Sequence, residues 1–449
     1  MGTYRPADRG AEQISSASIT VCGDRLRERL TAEECTIRGV HIWLHVEQAS
    51  GCHRSDGELS HIYTIRYQTS RCTILHRLYL LQKEKGNIPM KEKYNVGIIG
   101  ATGMVGQRFA TLLENHPWFH VVALAASPRS AGKTYKEAVG SRWLMDTPMP
   151  KSMEDIVIMD ATADVDKIAS MVDFVFCAVD MKKDEIKALE ERYAKAECPV
   201  MSNNSANRFT PDVPMIIPEV NADHAAIIDA QKKRLGTKRG FISVKSNCSI
   251  QSYVPALSPL RKFGIKNILA CTYQAISGAG KTFETWPEMV DNLIPYIGGE
   301  EEKSEQEPLK VWGHIEGSEI VKAQSPLITT QCLRVPVSNG HFAAVFVNFE
   351  NKPSMDEIKK IWAEYAGEPQ ALKLPSAPKQ FIHYFEEDNM PQAKLHRNLE
   401  GGMAVSVGRL RPDTMFDYKF VCLSHNTLRG AAGGAVEMAE LLAAKGYLD

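Results

Sequence analysis

Short apolar runs alternate with stretches of helical apolar spacing from residue 94 onward. The apolar runs cover residues 94–99, 120–126, 172–179 and 199–202, and such runs are typical of strands buried on both faces of a parallel sheet. Residues 107–115 carry Phe109, Leu112 and Leu113 at helical spacing, and residues 182–195 are also predicted to be helical. The alternation predicts an α/β fold with a doubly wound, Rossmann-like parallel sheet.

The later part of the chain contains further elements in a less regular order. The pattern predicts a strand over residues 240–244, a helical stretch over residues 253–263, a strand over residues 401–409 and a closing helix from Gly430 to residue 447. A chain of 449 residues is too long for one ordinary core. Two domains, or two domains and an appendage, are therefore expected.

A glycine-rich turn directly follows the first apolar run and precedes a helical stretch. Gly100 and Gly103 allow a tight turn and a close approach of the backbone to a pyrophosphate, and the helix N-terminus supplies N–H groups for that anion. An ordinary strand–helix turn is the alternative interpretation. The candidate cofactor contacts in this turn are Gly100, Thr102, Gly103, Met104 and Val105.

The residues after the second apolar run indicate which dinucleotide is bound. An NAD site usually has Asp or Glu here, whereas this chain has Ser127, Arg129 and Ser130. A cation and hydroxyl groups suit a 2′-phosphate, so NADP is the predicted cofactor. A solvated basic loop is the alternative. Ala178 and residues 203–208 are expected at the same carboxyl edge of the sheet, where ligands bind.

The first 89 residues differ in composition from the rest of the chain. They hold ten arginines but only two lysines, and their pattern shows no convincing strand or helix. Three interpretations compete: a domain of unknown type, a targeting arm, or upstream sequence joined to a start at Met90. The last is preferred, because Met90 shortly precedes a strand with a cofactor turn. Residues 1–89 are therefore unassigned and are expected to be disordered or spurious.

Composition and charge exclude several classes of function. A net charge of −1, with 44% hydrophobic and 24% charged residues, is typical of a soluble globular protein and gives no attraction to nucleic acid or to an anionic membrane. No apolar run approaches the ~20 residues of a membrane helix, and residues 1–30 do not form a secretory signal. The ten cysteines include no CxxC pair, so no metal site is predicted, and a cytoplasmic location is expected.

Candidate chemical groups lie in the second half of the chain. Cys248 follows a predicted strand and precedes a helical stretch. A cysteine at a helix N-terminus has a lowered pKa and is a stronger candidate nucleophile than a buried one, although most cysteines serve packing. Ser277 and Gly278 lie in a turn of small residues after a strand. Arg334 and His341 stand at the two ends of a short strand and turn.

Five motifs in a fixed order give the chain a specific resemblance. They are Gly-Ala-Thr-Gly-Met-Val-Gly at 100–106, Ser-Asn-Cys-Ser at 246–249, Tyr-Gln-Ala-Ile-Ser-Gly-Ala-Gly at 273–280, Arg-Val-Pro-Val-Ser-Asn-Gly-His at 334–341 and Asn-Thr-Leu-Arg-Gly-Ala-Ala-Gly at 426–433. From residue 91 to residue 449 the chain resembles the aspartate-semialdehyde dehydrogenases, most of all their archaeal and fungal branch. Residues 1–89 have no counterpart in this family.

The resemblance implies roles for the catalytic residues. Cys248 is expected to be the nucleophile that forms a thioester, His341 the general acid/base, and Gln274 the residue that orients the acyl-enzyme. Backbone N–H groups at the helix start near Cys248 are expected to stabilise the oxyanion. A structural histidine is the alternative for His341.

The resemblance also implies roles for the binding residues. Arg334 is expected to bind the substrate carboxylate and Arg208 the phosphate. Glu307 and Lys310 match a Glu-x-x-Lys pair that contacts the substrate amino group and the phosphate, although both could also form an ordinary surface pair on a helix. Asn426 is expected at the nicotinamide end of NADP. The candidate cofactor contacts outside the first turn are Ser127, Arg129, Ser130, Ala178, Ser277, Gly278 and Asn426.

The same resemblance implies the domain organisation and the reaction. An NADP-binding domain is expected over residues 91–246, completed by residues 426–449, and an α+β catalytic and dimerisation domain with a mixed sheet over residues 247–425. The implied reaction is the reduction of L-4-aspartyl phosphate by NADPH to L-aspartate 4-semialdehyde and phosphate, in lysine, threonine and methionine biosynthesis. The expected partners are these small molecules and further copies of the chain in a homodimer or homotetramer, with neither nucleic acid nor membrane.

Three other functions stay open. N-acetyl-glutamyl-phosphate reductase performs the same chemistry on a blocked amino group, for which a carboxylate such as Glu307 has no use. Malonyl-coenzyme A reductase resembles the same branch, but its substrate lacks an α-amino group. A non-catalytic NADP-binding sensor has no need of a cysteine nucleophile with a matched histidine.

Overall fold

The computed structural model describes residue 91 and residues 93–449, together with the backbone of five strands in the first 89 residues. The chain divides into two compact units, Met1–Pro89 and Met90–Asp449. The strands of the smaller unit are β1 (Ser16–Cys22), β2 (Cys35–Ile37), β3 (Val40–Ile42), β4 (Leu44–His53) and β5 (Leu59–Gln68). An antiparallel sheet has the order β1-β5-β4, and β2 pairs with β3.

These five strands lie in a segment whose sequence pattern does not predict them. The sequence pattern of residues 1–89 indicates no convincing strand, because apolar and polar residues do not alternate in a sustained way. The clearest signal for β5 is instead its content of β-branched and aromatic residues over residues 62–67. Residue content, rather than a periodic pattern, therefore indicates this strand, and the assignment of residues 1–89 stays a prediction.

The larger unit begins with a seven-stranded sheet whose pairs are all parallel. Its order is β11-β12-β10-β9-β6-β7-β8. Its strands are β6 (Tyr94–Ile99), β7 (Phe119–Ala126), β8 (Met159–Asp160), β9 (Phe174–Cys177), β10 (Val200–Ser202), β11 (Met215–Ile216) and β12 (Ile242–Lys245). The predicted doubly wound parallel sheet is confirmed.

Helices cover both faces of this sheet. Successive side chains of β9 point to opposite faces, and all of them are buried, so each face must be covered. Phe174 and Phe176 belong to the core on one face, whereas Val175 and Cys177 belong to the core on the other. The helices of the described residues are α1 (Met104–Leu113), α2 (Tyr135–Val139), α3 (Lys151–Glu154), α4 (Val165–Met171), α5 (Lys183–Lys195), α6 (Pro218–Asn221), α7 (Ile228–Leu235), α8 (Val254–Leu257), α9 (Glu300–Val311), α10 (Met355–Glu364), α11 (Glu368–Leu372), α12 (Ala393–His396) and α13 (Ala432–Ala444). The last helix, α13, shares its core with α1.

The second large sheet is mixed and has six strands in the order β16-β13-β17-β20-β19-β18. Its strands are β13 (Ile265–Gln274), β16 (Leu327–Arg334), β17 (His341–Phe349), β18 (Ile382–Phe385), β19 (Val405–Pro412) and β20 (Tyr418–Ser424). A separate hairpin pairs β14 (His314–Glu316) with β15 (Glu319–Val321). The burial of β17 alternates between buried and half-buried residues, so one sheet face packs in the core and the other is partly open.

Short segments of 3₁₀ helix link many of these elements. They are Gly140–Arg142, Ala222–Ile227, Ser258–Phe263, Ile276–Ala279, Pro287–Met289 and Leu399–Gly402. One of them changes a prediction: the helical stretch expected over residues 253–263 is the short helix α8 followed by the 3₁₀ turn Ser258–Phe263. Pro255 and Pro259 lie in this stretch, and proline removes the N–H that a continuous α-helix needs.

Candidate active site

The register of the mixed sheet brings the predicted catalytic residues to one edge. Gln274 and Arg334 are the last residues of the parallel strands β13 and β16 and are direct partners in the ladder. His341 is the first residue of β17, which runs antiparallel to β13. Asn426 comes two residues after β20, whose last residue pairs with His341. Strand order and direction thus assemble a site from residues that are distant in sequence.

The glycine turn after β6 has the geometry that a dinucleotide site needs. Gly100 has a φ of +90°, and a Cβ there would lie 2.3 Å from the carbonyl oxygen of Ala178. A Cβ on Gly106 would lie 2.2 Å from the carbonyl oxygen of Gly100. Helix α1 begins after Gly103 without a side-chain cap, so its first N–H groups face outward for an anion. These residues fit a pyrophosphate.

The residues after β7 fit an additional phosphate. Ser127 and Arg129 are exposed, while Ser130 is buried and its N–H donates to the Ser127 carbonyl oxygen at 2.9 Å. The turn therefore presents the exposed cation of Arg129 and a hydroxyl group beside the strand end, and no carboxylate lies among residues 127–133. This donor set suits the 2′-phosphate of NADP.

A cleft of ≈ 230 Å³ lies beside the glycine turn. Met104 and Ser277, both predicted cofactor contacts, line it together with Arg108, Arg397 and Thr427. The two arginines were not predicted. Arg108 stands in the first turns of α1, where a cation near a bound diphosphate is reasonable, but nothing in the sequence brings Arg397 to this place.

Asn426 ties the cleft to the catalytic edge. Its side-chain oxygen accepts a hydrogen bond from the Gly340 N–H at 2.8 Å, and its amide nitrogen donates to the Ser277 hydroxyl at 2.9 Å. The structure therefore places Asn426 and Ser277 together, next to the strand that begins at His341. In this arrangement Asn426 holds two backbone segments, so its expected contact with the nicotinamide stays a prediction.

The structure brings Cys248 and His341 into contact. The Cys248 sulfur lies 3.4 Å from Nε2 of His341, and the N–H of Ala275 donates to Nδ1 of the same ring at 3.1 Å. Because Nδ1 accepts a hydrogen bond, the neutral ring carries its proton on Nε2, which faces the sulfur. His341 is thus set as a donor toward Cys248 and the reacting atoms.

Burial controls the ionisation of both groups. Burial, with the negative charge of Glu300 as the next cause, raises the pKa of Cys248 to about 11. Burial, followed by the positive charge of Arg334, lowers the pKa of His341 to about 3. The prediction of a lowered cysteine pKa is therefore wrong. Its premise was a helix N-terminus, but α8 begins at Val254, too far from Cys248 for a helix dipole to act.

The expected oxyanion donors are also placed differently. The N–H of Asn247 donates to Glu307 at 2.5 Å, and the N–H of Ser249 donates to the Asn247 side-chain oxygen at 2.7 Å. Both backbone groups beside the cysteine are therefore used within the protein. Nε2 of His341 is the side-chain donor that faces the sulfur at this edge of the sheet, whereas the Gln274 amide nitrogen donates to Thr272 and to Glu300.

Arg334 lies beneath the small-residue turn. A Cβ on Gly278 would lie 2.8 Å from Nη1 of Arg334 and 3.0 Å from Nε2 of His341, so only glycine leaves room for both side chains. Nη1 of Arg334 donates to the Ala275 carbonyl oxygen at 2.8 Å. In the part of the chain that the structure describes, no carboxylate pairs with Arg334, so its other N–H groups can bind the substrate carboxylate.

Glu307 and Arg208 pair with each other. Nη1 of Arg208 lies 2.9 Å from Oε1 of Glu307, and both side chains are buried. Arg208 also donates through Nε to the Lys245 carbonyl oxygen at 2.9 Å. Glu307 is thus bound to Arg208 and to the backbone before Cys248, so it is not available in this arrangement to read a substrate ammonium group.

Lys310 faces away from the reacting atoms. Its ammonium group donates to the carbonyl oxygens of Arg208, Thr210 and Val213, each at 2.8 Å. All three ammonium protons are therefore used to hold the loop that follows Arg208. The structure brings Lys310 near the predicted phosphate residue but not into the position of a phosphate ligand.

A second Glu-x-x-Lys pair, one the sequence analysis did not single out, faces the site. Glu300 accepts hydrogen bonds from the Asn247 amide at 3.0 Å and from the Gln274 amide at 3.3 Å. Lys303 pairs with Glu300 at 2.8 Å. Burial opposes ionisation of Glu300, but Lys303 and these hydrogen bonds outweigh it and lower its pKa. The two residues have the same i,i+3 spacing as Glu307 and Lys310, so spacing alone favoured neither pair.

Known proteins are similar in sequence to this chain over most of its length. The family model described as "Semialdehyde dehydrogenase, NAD binding domain" matches residues 95–228, and the one described as "Semialdehyde dehydrogenase, dimerisation domain" matches residues 257–429. The aspartate-semialdehyde dehydrogenase of Methanothermobacter thermautotrophicus is 41% identical over 351 residues, which cover 78% of this chain and 98% of that protein. The chain belongs to the aspartate-semialdehyde dehydrogenase family.

Further relatives agree with this family. The aspartate-semialdehyde dehydrogenase of Saccharomyces cerevisiae is 41% identical over 372 residues, which cover 80% of this chain and 100% of that protein. The crystal structure of the Candida albicans enzyme with NADP matches with a TM-score of 0.72 at 38% identity, and the match covers 79% of this chain and 99% of that chain. The resemblance inferred from five motifs is confirmed, as is the α/β fold with a parallel and a mixed sheet.

Two further observations concern partners. Among the described residues, no helix combines the length and the apolar character that crossing a membrane requires. Within the same residues, His, Cys, Asp and Glu side chains form no group of three suited to a metal ion. The chain contains the dimerisation domain of the aspartate-semialdehyde dehydrogenase family.

Proposed function

We propose that the protein reduces L-4-aspartyl phosphate to L-aspartate 4-semialdehyde and inorganic phosphate, with NADPH as reductant and Cys248 as the nucleophile. The single observation that supports this most is the contact between the Cys248 sulfur and Nε2 of His341, 3.4 Å apart, beside an arginine without a carboxylate partner in the described residues. A thiol with a matched imidazole and a fixed cation is the apparatus of acyl transfer from an anionic substrate.

The described residues fit NADP. The glycine turn at Gly100 admits a pyrophosphate, and Arg129 is an exposed cation beside the strand end for the 2′-phosphate. The family's NAD-binding domain and the Candida albicans relative with NADP support the same cofactor. NADPH, when bound, supplies the hydride that reduces the thioester to the oxidation level of an aldehyde.

The cysteine divides the reaction into two easier steps. The Cys248 sulfur forms a bond to the acyl carbon while the bond to phosphate breaks, which leaves a thioester and inorganic phosphate. After reduction the carbon–sulfur bond breaks and the aldehyde departs. The Nε2 proton of His341 stabilises the negative charge that develops on oxygen or sulfur in both steps. Gln274, in the adjacent strand, orients the acyl group.

The charged residues determine where each charged group of the substrate binds. Arg334 binds the α-carboxylate through its remaining donors. Glu300, which faces Asn247 and Gln274 beside the nucleophile, accepts the α-ammonium group in the role that the sequence gave to Glu307. Arg208 binds the phosphate, with Lys303 as the second cation in the role that the sequence gave to Lys310.

The position of Glu300 also separates this function from its alternatives. A buried carboxylate beside the nucleophile suits a free ammonium group. It would have no ammonium group to bind in an acetylated amino acid or in malonyl-coenzyme A. A sensor that only binds NADP has no use for the contact between Cys248 and His341. The reduction of aspartyl phosphate is therefore preferred to all three.

The finer organisation follows the same proposal. An NADP-binding domain over residues 91–246, completed by residues 426–449, joins a catalytic and dimerisation domain over residues 247–425. The partly open face of the mixed sheet is available to a second copy, as a homodimer or homotetramer requires. A cytoplasmic location and a role in lysine, threonine and methionine biosynthesis complete the proposal.

The reverse reaction tests this function directly. Purified protein receives L-aspartate semialdehyde, phosphate and NADP, and the formation of NADPH is followed by its absorbance. Phosphate-dependent NADPH formation is expected in the wild type and should be lost in Cys248→Ala. The matched control is Cys271→Ala, which removes a half-buried cysteine from β13 outside the site and should keep the activity.

A different substrate would give a different result. Consumption of NADPH with malonyl-coenzyme A, and no reaction with the semialdehyde, would retain the Cys248 chemistry but contradict the substrate. Activity that survives in Cys248→Ala would contradict the proposed nucleophile.

A further inference from the structure

The loop that carries Arg208 meets a buried carboxyl group on α5. Residues 203–214 connect β10 to β11, and Arg208 stands in the middle of this loop. Glu190 of α5 is completely buried and has no ion-pair partner in the described part of the chain, whereas the adjacent Glu191 pairs with two cations. A buried carboxyl group is costly unless hydrogen bonds satisfy it. For Glu190, these hydrogen bonds come from the end of β10 and from the loop.

One oxygen of Glu190 fixes the chain on both sides of Asn203. Its Oε1 atom accepts a hydrogen bond from the Ser202 hydroxyl and another from the Asn204 side-chain amide at 3.0 Å. The same hydroxyl group accepts the backbone N–H of Asn204, also at 3.0 Å. The N–H of Asn203 donates to the Cys177 carbonyl oxygen at 2.8 Å. The carbonyl oxygen of Asn203 is therefore held at a defined position.

The other oxygen of Glu190 fixes the residue that precedes Arg208. Its Oε2 atom accepts a hydrogen bond from the Asn207 side-chain amide at 2.7 Å. The side-chain oxygen of Asn207 in turn accepts the Thr210 hydroxyl at 2.9 Å, and its carbonyl oxygen accepts the N–H of Thr210 at 3.1 Å. Asn207 is only 1% exposed. Through this one side chain, Glu190 holds the loop on both sides of Arg208.

The guanidinium of Arg208 has two N–H groups left for an anion. Nε donates to the Lys245 carbonyl oxygen at 2.9 Å, Nη1 to Glu307 at 2.9 Å, and Nη2 to the Asn203 carbonyl oxygen at 3.3 Å. A guanidinium carries five N–H groups, so within the described residues one remains on Nη1 and one on Nη2. Two such parallel donors match two oxygens of a phosphate. The Asn203 carbonyl oxygen therefore helps to aim these donors.

We propose that Glu190 is a positioning residue that orients Arg208 for phosphate binding. One oxygen of its rigid carboxyl group holds the chain around Asn203, whose carbonyl oxygen aims the guanidinium. The other oxygen holds Asn207, from which the backbone of Arg208 continues. Glu190 thus sets the direction of the two free donors, and paired hydrogen bonds depend steeply on direction. This inference rests on the phosphate-binding role that the proposed function gives to Arg208.

A different group supports the second half of the loop. Lys310 donates to the carbonyl oxygens of Arg208, Thr210 and Val213, each at 2.8 Å. The backbone of the loop therefore does not depend on Glu190 alone. The loss of one hydrogen bond to Glu190 should turn the guanidinium away from the phosphate rather than unfold the loop.

The phosphate dependence of NADPH formation in Glu190→Gln tests the proposal. The new amide keeps the size of the side chain, but its NH₂ group cannot accept a hydrogen bond and would face the amide of Asn204 or of Asn207. With L-aspartate semialdehyde and NADP, the KM for phosphate should rise roughly tenfold, as the loss of one charge-assisted hydrogen bond predicts. The KM for semialdehyde, the KM for NADP and kcat at saturating phosphate should stay within about twofold of the wild type.

A second variant breaks the same contact from the side of the loop. Asn207→Ala leaves Glu190 in place and should raise the KM for phosphate by a similar factor. In the double variant with Glu190→Gln, the rise should be clearly smaller than the product of the two single effects, because the two residues form one connection.

Two controls separate positioning from a general structural effect. Glu440→Gln changes another completely buried glutamate, on α13, which accepts hydrogen bonds from His116 and from the N–H and hydroxyl of Ser376. It should lower the melting temperature but keep the wild-type KM for phosphate. Arg208→Lys should itself raise that KM, because a single ammonium group replaces the paired donors. Adding Glu190→Gln to Arg208→Lys should then raise it by less than about twofold.

Each outcome has a distinct meaning. An unchanged KM for phosphate in folded Glu190→Gln or Asn207→Ala would overturn the inference. An equal rise in the KM of all three substrates would overturn it as well, as would a full tenfold effect of Glu190→Gln in the Arg208→Lys background. A wild-type KM for phosphate in Arg208→Lys would contradict the phosphate role of Arg208, and the inference with it. Wild-type protein that forms no NADPH in response to phosphate would instead contradict the proposed function itself.

Discussion

At the scale of single residues, hydrogen bonds decide which chemistry His341 can perform. The N–H of Ala275 donates to one ring nitrogen, so the proton lies on the other, toward Cys248. Burial, followed by the positive charge of Arg334, lowers the pKa of His341 to about 3, so the ring is neutral near pH ~7. His341 therefore meets the reacting atoms through Nε2, the ring nitrogen that lies 3.4 Å from the Cys248 sulfur.

Two glutamates of α9 should respond differently to the same substitution. Glu300→Gln should raise the KM for L-aspartate semialdehyde roughly 10- to 100-fold, because the carboxylate that meets the ammonium group loses its charge. Its effect on stability should be small. Glu307→Gln should instead lower the free energy of unfolding by about 3 kcal/mol, because it leaves the buried Arg208 without its partner.

Steady-state kinetics and urea unfolding of both variants separate these roles. A large KM effect from Glu307→Gln in a protein of normal stability, with none from Glu300→Gln, would restore Glu307 as the residue that reads the substrate.

The sequence alone could not distinguish Glu300 from Glu307. Glu300–Lys303 and Glu307–Lys310 have the same spacing on one helix, so both match the family pattern. Only packing distinguishes them, since one pair faces Gln274 and the other faces Arg208 and a loop. Cys248, Gln274, Arg334 and His341 could be identified because each lies in a motif with few alternative positions.

At the scale of elements, helix α9 has two tasks. Its first turn places Glu300 and Lys303 beside the nucleophile, and its last turn places Lys310 under the loop after Arg208. Pro308 lies within the second Glu-x-x-Lys pair, between Glu307 and Lys310, without ending the helix. The helix therefore connects substrate recognition with the loop that carries the phosphate-binding arginine.

The two lysines of α9 should reflect these two tasks. Lys310→Met should lower the free energy of unfolding by about 3 kcal/mol, because three buried carbonyl oxygens lose their donor. Lys303→Met should change stability by no more than about 1 kcal/mol, and should raise the KM for phosphate roughly tenfold.

Thermal unfolding and the phosphate dependence of NADPH formation measure the two effects. A normal melting temperature for Lys310→Met would mean that the three carbonyl contacts contribute little.

Element boundaries limited the sequence analysis more than element types did. The parallel strands were predicted well because buried strands are continuous apolar runs; β6 has the predicted bounds of residues 94–99. Strands of the mixed sheet such as β16, with its polar residues at 329–331, carry a weaker signal because one face is half open. The prediction of a long helix after Cys248 was wrong, because prolines shorten that helix to four residues.

At the scale of the whole molecule, the site lies where two sheets present their edges. The carboxyl ends of the parallel strands supply the glycine turn, Arg208 and Cys248, whereas the mixed sheet supplies Gln274, Arg334 and His341. After the last strand of the mixed sheet, the chain returns to the cofactor-binding side through Asn426 and helix α13. The sequence predicts a cofactor half and a chemical half, whereas the contacts among their residues become visible only in the fold.

Buried histidines should make the protein sensitive to acid. Burial lowers the pKa of both His341 and His425 to about 3, whereas an unfolded histidine titrates near 6.5. Protons therefore bind the unfolded chain first as the pH falls, so the stability present above pH ~6.5 is lost progressively below it, by roughly 2 kcal/mol per histidine at pH ~5.

Urea unfolding at several pH values checks this dependence. His425→Asn should flatten the decline between pH ~6.5 and ~5 by one proton. An identical pH slope in the variant and the wild type would show that His425 is protonated in the folded protein.

The measurement that tests the central claim most directly is the mass of the protein after reaction without phosphate. L-aspartate semialdehyde and NADP are supplied, and the digested protein is examined for an acyl group. An aspartyl thioester should accumulate on Cys248 with about one NADPH per site, and phosphate should release it, because phosphate is the acceptor in the reverse direction. Formation of NADPH without an adduct, or an adduct on another residue, would contradict the proposed thioester mechanism.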